Sequence, residues 1–109
     1  MKVLLADEGL EFLAERMSGF NVLTSRKMGL SEKGVSTVMR EARDMKFDAV
    51  VTANREFRFA AGTQGWTFGI VLLEISPADE ESYLGQLDRI KSGVLGANPG
   101  VISSVRWPR

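Results

Sequence analysis

The run Val3-Leu4-Leu5-Ala6, broken at once by Asp7-Glu8, sets the reading of the whole chain. Consecutive apolar residues without alternation fit a strand covered on both faces, as in a parallel sheet, better than one arm of a hairpin. Four similar runs follow at Asn21 to Thr24, Ala49 to Thr52, Ile70 to Ile75 and Val101 to Val105. Between them the period changes from strand-like to helical. Leu10, Leu13, Ala14 and Met17 fall at i, i+3, i+4 and i+7, with Gly19 suited to close a helix. Val35, Val38, Met39 and Ala42 repeat the spacing behind a capping Ser31, with Gly34 in the first turn. Ser76-Pro77-Ala78-Asp79 reads as the start of a third helix, striped by Tyr83, Leu84, Leu87 and Ile90 and ended by Gly93, Gly96 and Asn98-Pro99-Gly100. Arg55 to Ala61 reads as a short helix and Gly62 to Trp66 as a loop. Alternating strands and helices predict a three-layer α/β/α domain over residues 1–109, with a mainly parallel sheet of about five strands.

Composition narrows the chemistry. The chain has 109 residues, 14 Lys and Arg against 14 Asp and Glu, and neither His nor Cys. Thiol and imidazole nucleophiles, zinc ribbons and disulfides are excluded, which leaves oxygen-based chemistry. No Gly-x-Gly-x-x-Gly or Walker-type lysine loop follows any strand. There is no span of about 20 apolar residues, and the chain is expected to be cytoplasmic with no membrane partner. Charge is uneven: residues 1 to 25 carry net −2, residues 26 to 58 net +3 and the remainder −1. The basic middle could meet phosphates, although mixed charge of this kind also forms ordinary solvated helix faces.

In a doubly wound sheet, ligands bind beyond the carboxyl ends of the strands, so the residues just after each run are the candidates. Asp7-Glu8 follow the first strand, and Asn54, Arg55 and Glu56 follow the third. Oxygens gathered there would suit Mg²⁺ or Mn²⁺, which needs neither His nor Cys and can polarise a phosphodiester and its attacking water. The alternative is that Asp7 and Glu8 cap the first helix while Asn54 and Glu56 begin a short one. Thr52 could steady a ligand carboxylate or serve as a β-branched strand residue. Arg26, Lys27, Arg55 and Arg58 are candidates for an RNA backbone or for plain surface charge. Phe57, Phe59, Trp66, Phe68 and Trp107 read as core or partner-facing residues rather than base-stacking ones.

Several segments resemble the small PIN-like domains. Leu4-Leu5-Ala6-Asp7-Glu8-Gly9-Leu10 is similar to their opening strand and Asp-Glu-Asn-Leu. Arg26-Lys27-Met28-Gly29-Leu30-Ser31-Glu32 resembles their Gly-Leu and Ser-Asp segment. Val50-Val51-Thr52-Ala53-Asn54-Arg55-Glu56-Phe57 resembles Val-Thr-x-Asp-x-Asp-Phe, and Gly69 to Ile75 resembles Gly-Val-Ile-Leu-Leu. Pro99-Gly100-Val101 and Arg106 fit the close of the chain.

The resemblance implies a PIN-like fold and a Mg²⁺- or Mn²⁺-dependent ribonuclease, often the toxin of a toxin-antitoxin pair that acts on single-stranded or structured RNA as a homodimer. It implies Asp7, Glu8, Glu32, Asn54 and Glu56 as the catalytic set, with Glu32 on the second helix and Asp7, Asn54 and Glu56 on the metal. The chain departs from the pattern where Asn54 and Glu56 replace aspartates and Gly9 replaces asparagine. On the nuclease reading, Asp7→Asn lowers Mn²⁺ affinity and RNA cleavage far more than folding stability. A second class stays open: an inactive PIN-like or degenerate receiver-like protein-interaction module, in which Asn54 stands at the phosphoacceptor position.

Overall fold

Strand β1 (Lys2–Leu5) contains the Val3 run in a computed structural model that describes residues 1–61 and 66–108. The chain continues through a 3-10 helix (Glu8–Arg16), β2 (Asn21–Thr24), α1 (Val35–Asp44), β3 (Ala49–Thr52), α2 (Glu56–Ala61), β4 (Gly69–Ile75), α3 (Glu80–Gly85), α4 (Leu87–Leu95) and β5 (Ile102–Trp107). The five strands form one sheet in the order β2-β1-β3-β4-β5, and every pairing is parallel. The α/β, three-layer expectation holds. Strand order reverses at β1, whose neighbours are the second and third strands of the chain.

The strands β1, β3 and β4 are buried on both faces, which is why they read as nearly unbroken apolar runs. Val3, Leu5, Ala49, Val51, Val71 and Leu73 pack with Leu10, Leu13 and Met17 of the first helical segment and with Tyr83, Ile90 and Val94 of α3 and α4. The intervening residues Leu4, Val50 and Ile70 face the other way, onto Val38, Met39 and Ala42 of α1 and Phe57 of α2. Among the described residues the two faces hold 14 and 10 buried side chains, and large apolar residues of this type contribute about 1.5–3 kcal/mol each on full burial.

Four local expectations are corrected. The first helical segment is 3-10 over nine residues; Leu10 and Leu13, three residues apart, lie on one edge of such a helix and are both buried. The second helix is capped by Gly34 rather than Ser31, because Glu32 in the intervening turn takes a left-handed φ of 66° and redirects the chain. The third helix begins at Glu80 rather than Pro77: the Asp79 carboxylate accepts the Ser82 N–H at 2.8 Å, making Asp79 the cap. It then breaks at Gln86, just after Gly85, into α3 and α4. The short helix expected from Arg55 is α2, while most of the expected Gly62 to Trp66 loop lies outside the described residues. Gly69 opens β4 against the loop after α4, where a Cβ would lie 2.9 Å from the Asn98 backbone.

Candidate functional site

The reversal of strand order sets the carboxyl ends of β1 and β3 side by side, with Leu5 opposite Val51. Asp7 stands just beyond β1, at the N-cap of the 3-10 helix, but its carboxylate makes no capping bond. It turns across to β3 instead. Thr52 Oγ1 donates to Asp7 Oδ1 at 2.7 Å, and the Ala53 N–H donates to Asp7 Oδ2 at 2.7 Å. These are short, charge-assisted bonds. The Thr52 side chain is fully buried, and its oxygen also accepts the Asn54 N–H at 3.0 Å. Thr52 therefore holds the Asp7 carboxylate in place.

Asn54 Oδ1 accepts the Glu56 N–H at 3.0 Å. This local bond starts α2, and Asn54 and Glu56 behave as the helix-opening alternative describes. Glu56 is exposed in the first turn of α2. Glu8 and Glu11 both face Arg26, at 3.7 Å and 3.4 Å. Glu32, expected on the second helix, is exposed in the turn before it. The five residues named for catalysis therefore follow four different local arrangements.

The implied metal site is not marked by an acidic cluster among the described residues. Among the described residues no three acidic side chains come together in a group able to hold an ion. Asp7 accepts one hydrogen bond on each carboxylate oxygen and Asn54 one on its carbonyl, which leaves each oxygen a second lone pair. Mg²⁺ demands near-octahedral oxygen ligands and usually engages one or two carboxylates together with water or phosphate oxygens.

The basic candidates divide in two. Arg26 and Lys27 follow β2, while Arg55 and Arg58 lie at α2 and reach toward β4. The strand order puts three spacings, about 14 Å, between those two edges. Arg26 is also occupied by the acids of the first helix, so the four do not form one patch.

A group missed by sequence reasoning lies on β4. Glu74, with its side chain only 15% exposed, faces Arg58 at 3.1 Å, Arg106 at 3.2 Å and Arg55 at 3.7 Å. A hydrogen bond from Ser104 and the charges of Arg106 and Arg58 hold its carboxyl below the usual value, against a smaller opposing effect of burial. The available signal was a single acid interrupting the apolar run Ile70 to Ile75. On the opposite face, burial pushes the Tyr83 hydroxyl up, and the charges of Asp7 and Asp79 act in the same direction.

Compared with family models, curated proteins and solved structures, the chain matches none. Among the described residues no helix is long and apolar enough to cross a membrane.

Proposed function

We propose that this protein is a binding module built on an α/β scaffold of PIN-like or receiver-like type, working through protein contacts rather than by hydrolysing RNA. One observation carries the reading: Asp7, the centre of the expected metal site, is bonded through both carboxylate oxygens to β3. It acts as a cross-strand clasp. Of the remaining candidates, Asn54 opens α2 and Glu8 faces Arg26, while Glu32 and Glu56 are exposed. The toxin-type ribonuclease, with RNA, an antitoxin, a homodimer and a cytoplasmic setting, is the competing proposal. It requires Asp7 to offer its remaining lone pairs to an ion.

Calorimetric titration with Mn²⁺ beside an Asp7→Asn variant, followed by single-stranded RNA cleavage with and without chelator, separates the two. The expected result is no saturable Mn²⁺ binding and no cleavage. Saturable binding that disappears in the variant, together with chelator-sensitive cleavage, would replace the module with the nuclease.

A further inference from the structure

Strand β5 closes one side of the sheet, and among the described residues β4 is its only strand partner. The Val101 carbonyl accepts the Ile70 N–H at 3.0 Å, and the Trp107 carbonyl accepts the Ser76 N–H at 2.8 Å. Backbone groups alternate sides along a parallel strand, so Ile102, Ser104 and Arg106 turn theirs outward. One of these groups is covered: Arg89 Nη1 donates to the Arg106 carbonyl at 2.7 Å. Among the described residues no strand pairs with the others, which form a short ladder along the sheet edge.

The two faces beside that ladder differ in chemistry. On the side of Ser104 and Arg106, three arginines surround Glu74, a local balance of +2, with Arg55, Arg58 and Arg106 side chains 77%, 44% and 62% exposed. On the side of Ser103 and Val105 lies an open groove of about 320 Å³ against α4, mostly apolar and floored in part by Gly93. An extended chain laid on β5 would send alternate side chains to these two faces.

We infer that the β5 edge, flanked by the Glu74 arginine cluster and the α4 groove, takes up an extended peptide segment with acidic residues at every second position and small apolar residues between. Main-chain bonds to Ile102 and Ser104 supply affinity, and the two faces supply the sequence preference. A second copy of this chain is a poorer occupant, because pairing β5 with itself brings two +2 clusters together on one sheet face. The inference rests on the binding-module reading and names the class of partner.

The test is ¹⁵N NMR titration of the full chain with acetyl-(Glu-Val)₃-amide, with acetyl-(Lys-Val)₃-amide as control. Shifts should cluster in β5 and α4, and the lysine peptide should bind at least about tenfold more weakly. With Ser104→Ala as the control for loss of the hydroxyl that contacts Glu74 and Arg58, Ser104→Pro removes an outward N–H that β4 does not use, and proline is tolerated at such edge positions. It should keep a native spectrum and weaken binding at least about tenfold. Arg106→Glu brings the cluster from +2 to 0 and should abolish the preference between the two peptides. The inference is overturned by absence of β5 shifts up to about 1 mM peptide, by unchanged affinity in a folded Ser104→Pro, or by a dimer in sedimentation that buries β5. It is also overturned if decauridylate shifts Arg55 and Arg58 at lower concentration than the acidic peptide. Failure here leaves the Mn²⁺ and cleavage results untouched, so it can be told from failure of the module reading.

Discussion

Replacing Thr52 by valine isolates the clasp between β1 and β3. The substitution keeps the β-branched shape of a fully buried side chain and removes its oxygen. That oxygen donates to Asp7 and accepts from the Asn54 N–H. A hydrogen bond to a charged group contributes about 1.5–3 kcal/mol net. Asn54 is exposed, so water can take over its N–H and the second loss is small, under about 1 kcal/mol. Thr52→Val should therefore cost about 2–3 kcal/mol, lowering the melting temperature of a domain this size by roughly 8–15 °C. Asp7→Asn should cost a comparable amount, since an amide oxygen accepts one of the two bonds and the amide nitrogen cannot accept the other. The two positions share one bond, so a double-mutant cycle by urea denaturation should return a coupling of about 1–2 kcal/mol. The nuclease reading orders the effects of Asp7→Asn differently, with metal affinity falling and stability spared. A Thr52→Val penalty below about 0.5 kcal/mol, or zero coupling to Asp7, would refute the clasp.

Three further expectations follow from other parts of the fold. The Glu74 carboxyl has a folded-state pKa below its usual 4.5, so its stabilisation is complete above the unfolded pKa and is lost as pH falls from about 4.5 through the folded value; Glu74→Gln should flatten acid unfolding in that window, and an unchanged acid limb would contradict the cluster. Gly69→Ala places a Cβ 2.9 Å from the Asn98 backbone and should cost about 1–3 kcal/mol, read from a shift in the urea midpoint. Met39→Ala empties a fully buried position on the α1 face and should cost about 2–5 kcal/mol by the same measurement.

The sheet was legible because each of its strands carries a local mark. Val3 to Leu5 and Ala49 to Thr52 are compact apolar or β-branched segments whose burial on two faces leaves no alternation to obscure them, and Asn21 to Thr24 is a similar segment at the less buried edge. Helix starts were less legible because several side chains competed to cap. Ser76 and Asp79 both have capping chemistry, and only the loop path selects Asp79. Ser31 loses to Gly34 through the left-handed turn at Glu32, a backbone choice with no residue signature. At the site, the placement of Asp7 and Thr52 at neighbouring strand ends was readable, but what they do there was not. A carboxylate beyond a strand looks the same in sequence whether it faces solvent or the N–H of Ala53 forty-six positions away. Glu74 and Arg106 were hidden for the same reason, since β4 and β5 meet only in space.

The position of β1 between β2 and β3 also shapes how the chain reaches this structure. Val3 pairs with Val22 on one side and with Ala49 on the other. As the chain emerges during synthesis, the β1–β2 pair can form early, but it keeps one long apolar flank unpaired until nearly half the sequence has appeared. Pairings of such separation slow folding relative to local ones. The clasp from Asp7 to Thr52 and Ala53 joins the first fifth of the chain to its middle, so it can close only when β3 arrives. It would act as a latch on the assembly of the sheet, fastening the earliest strand to the one that completes its enclosure.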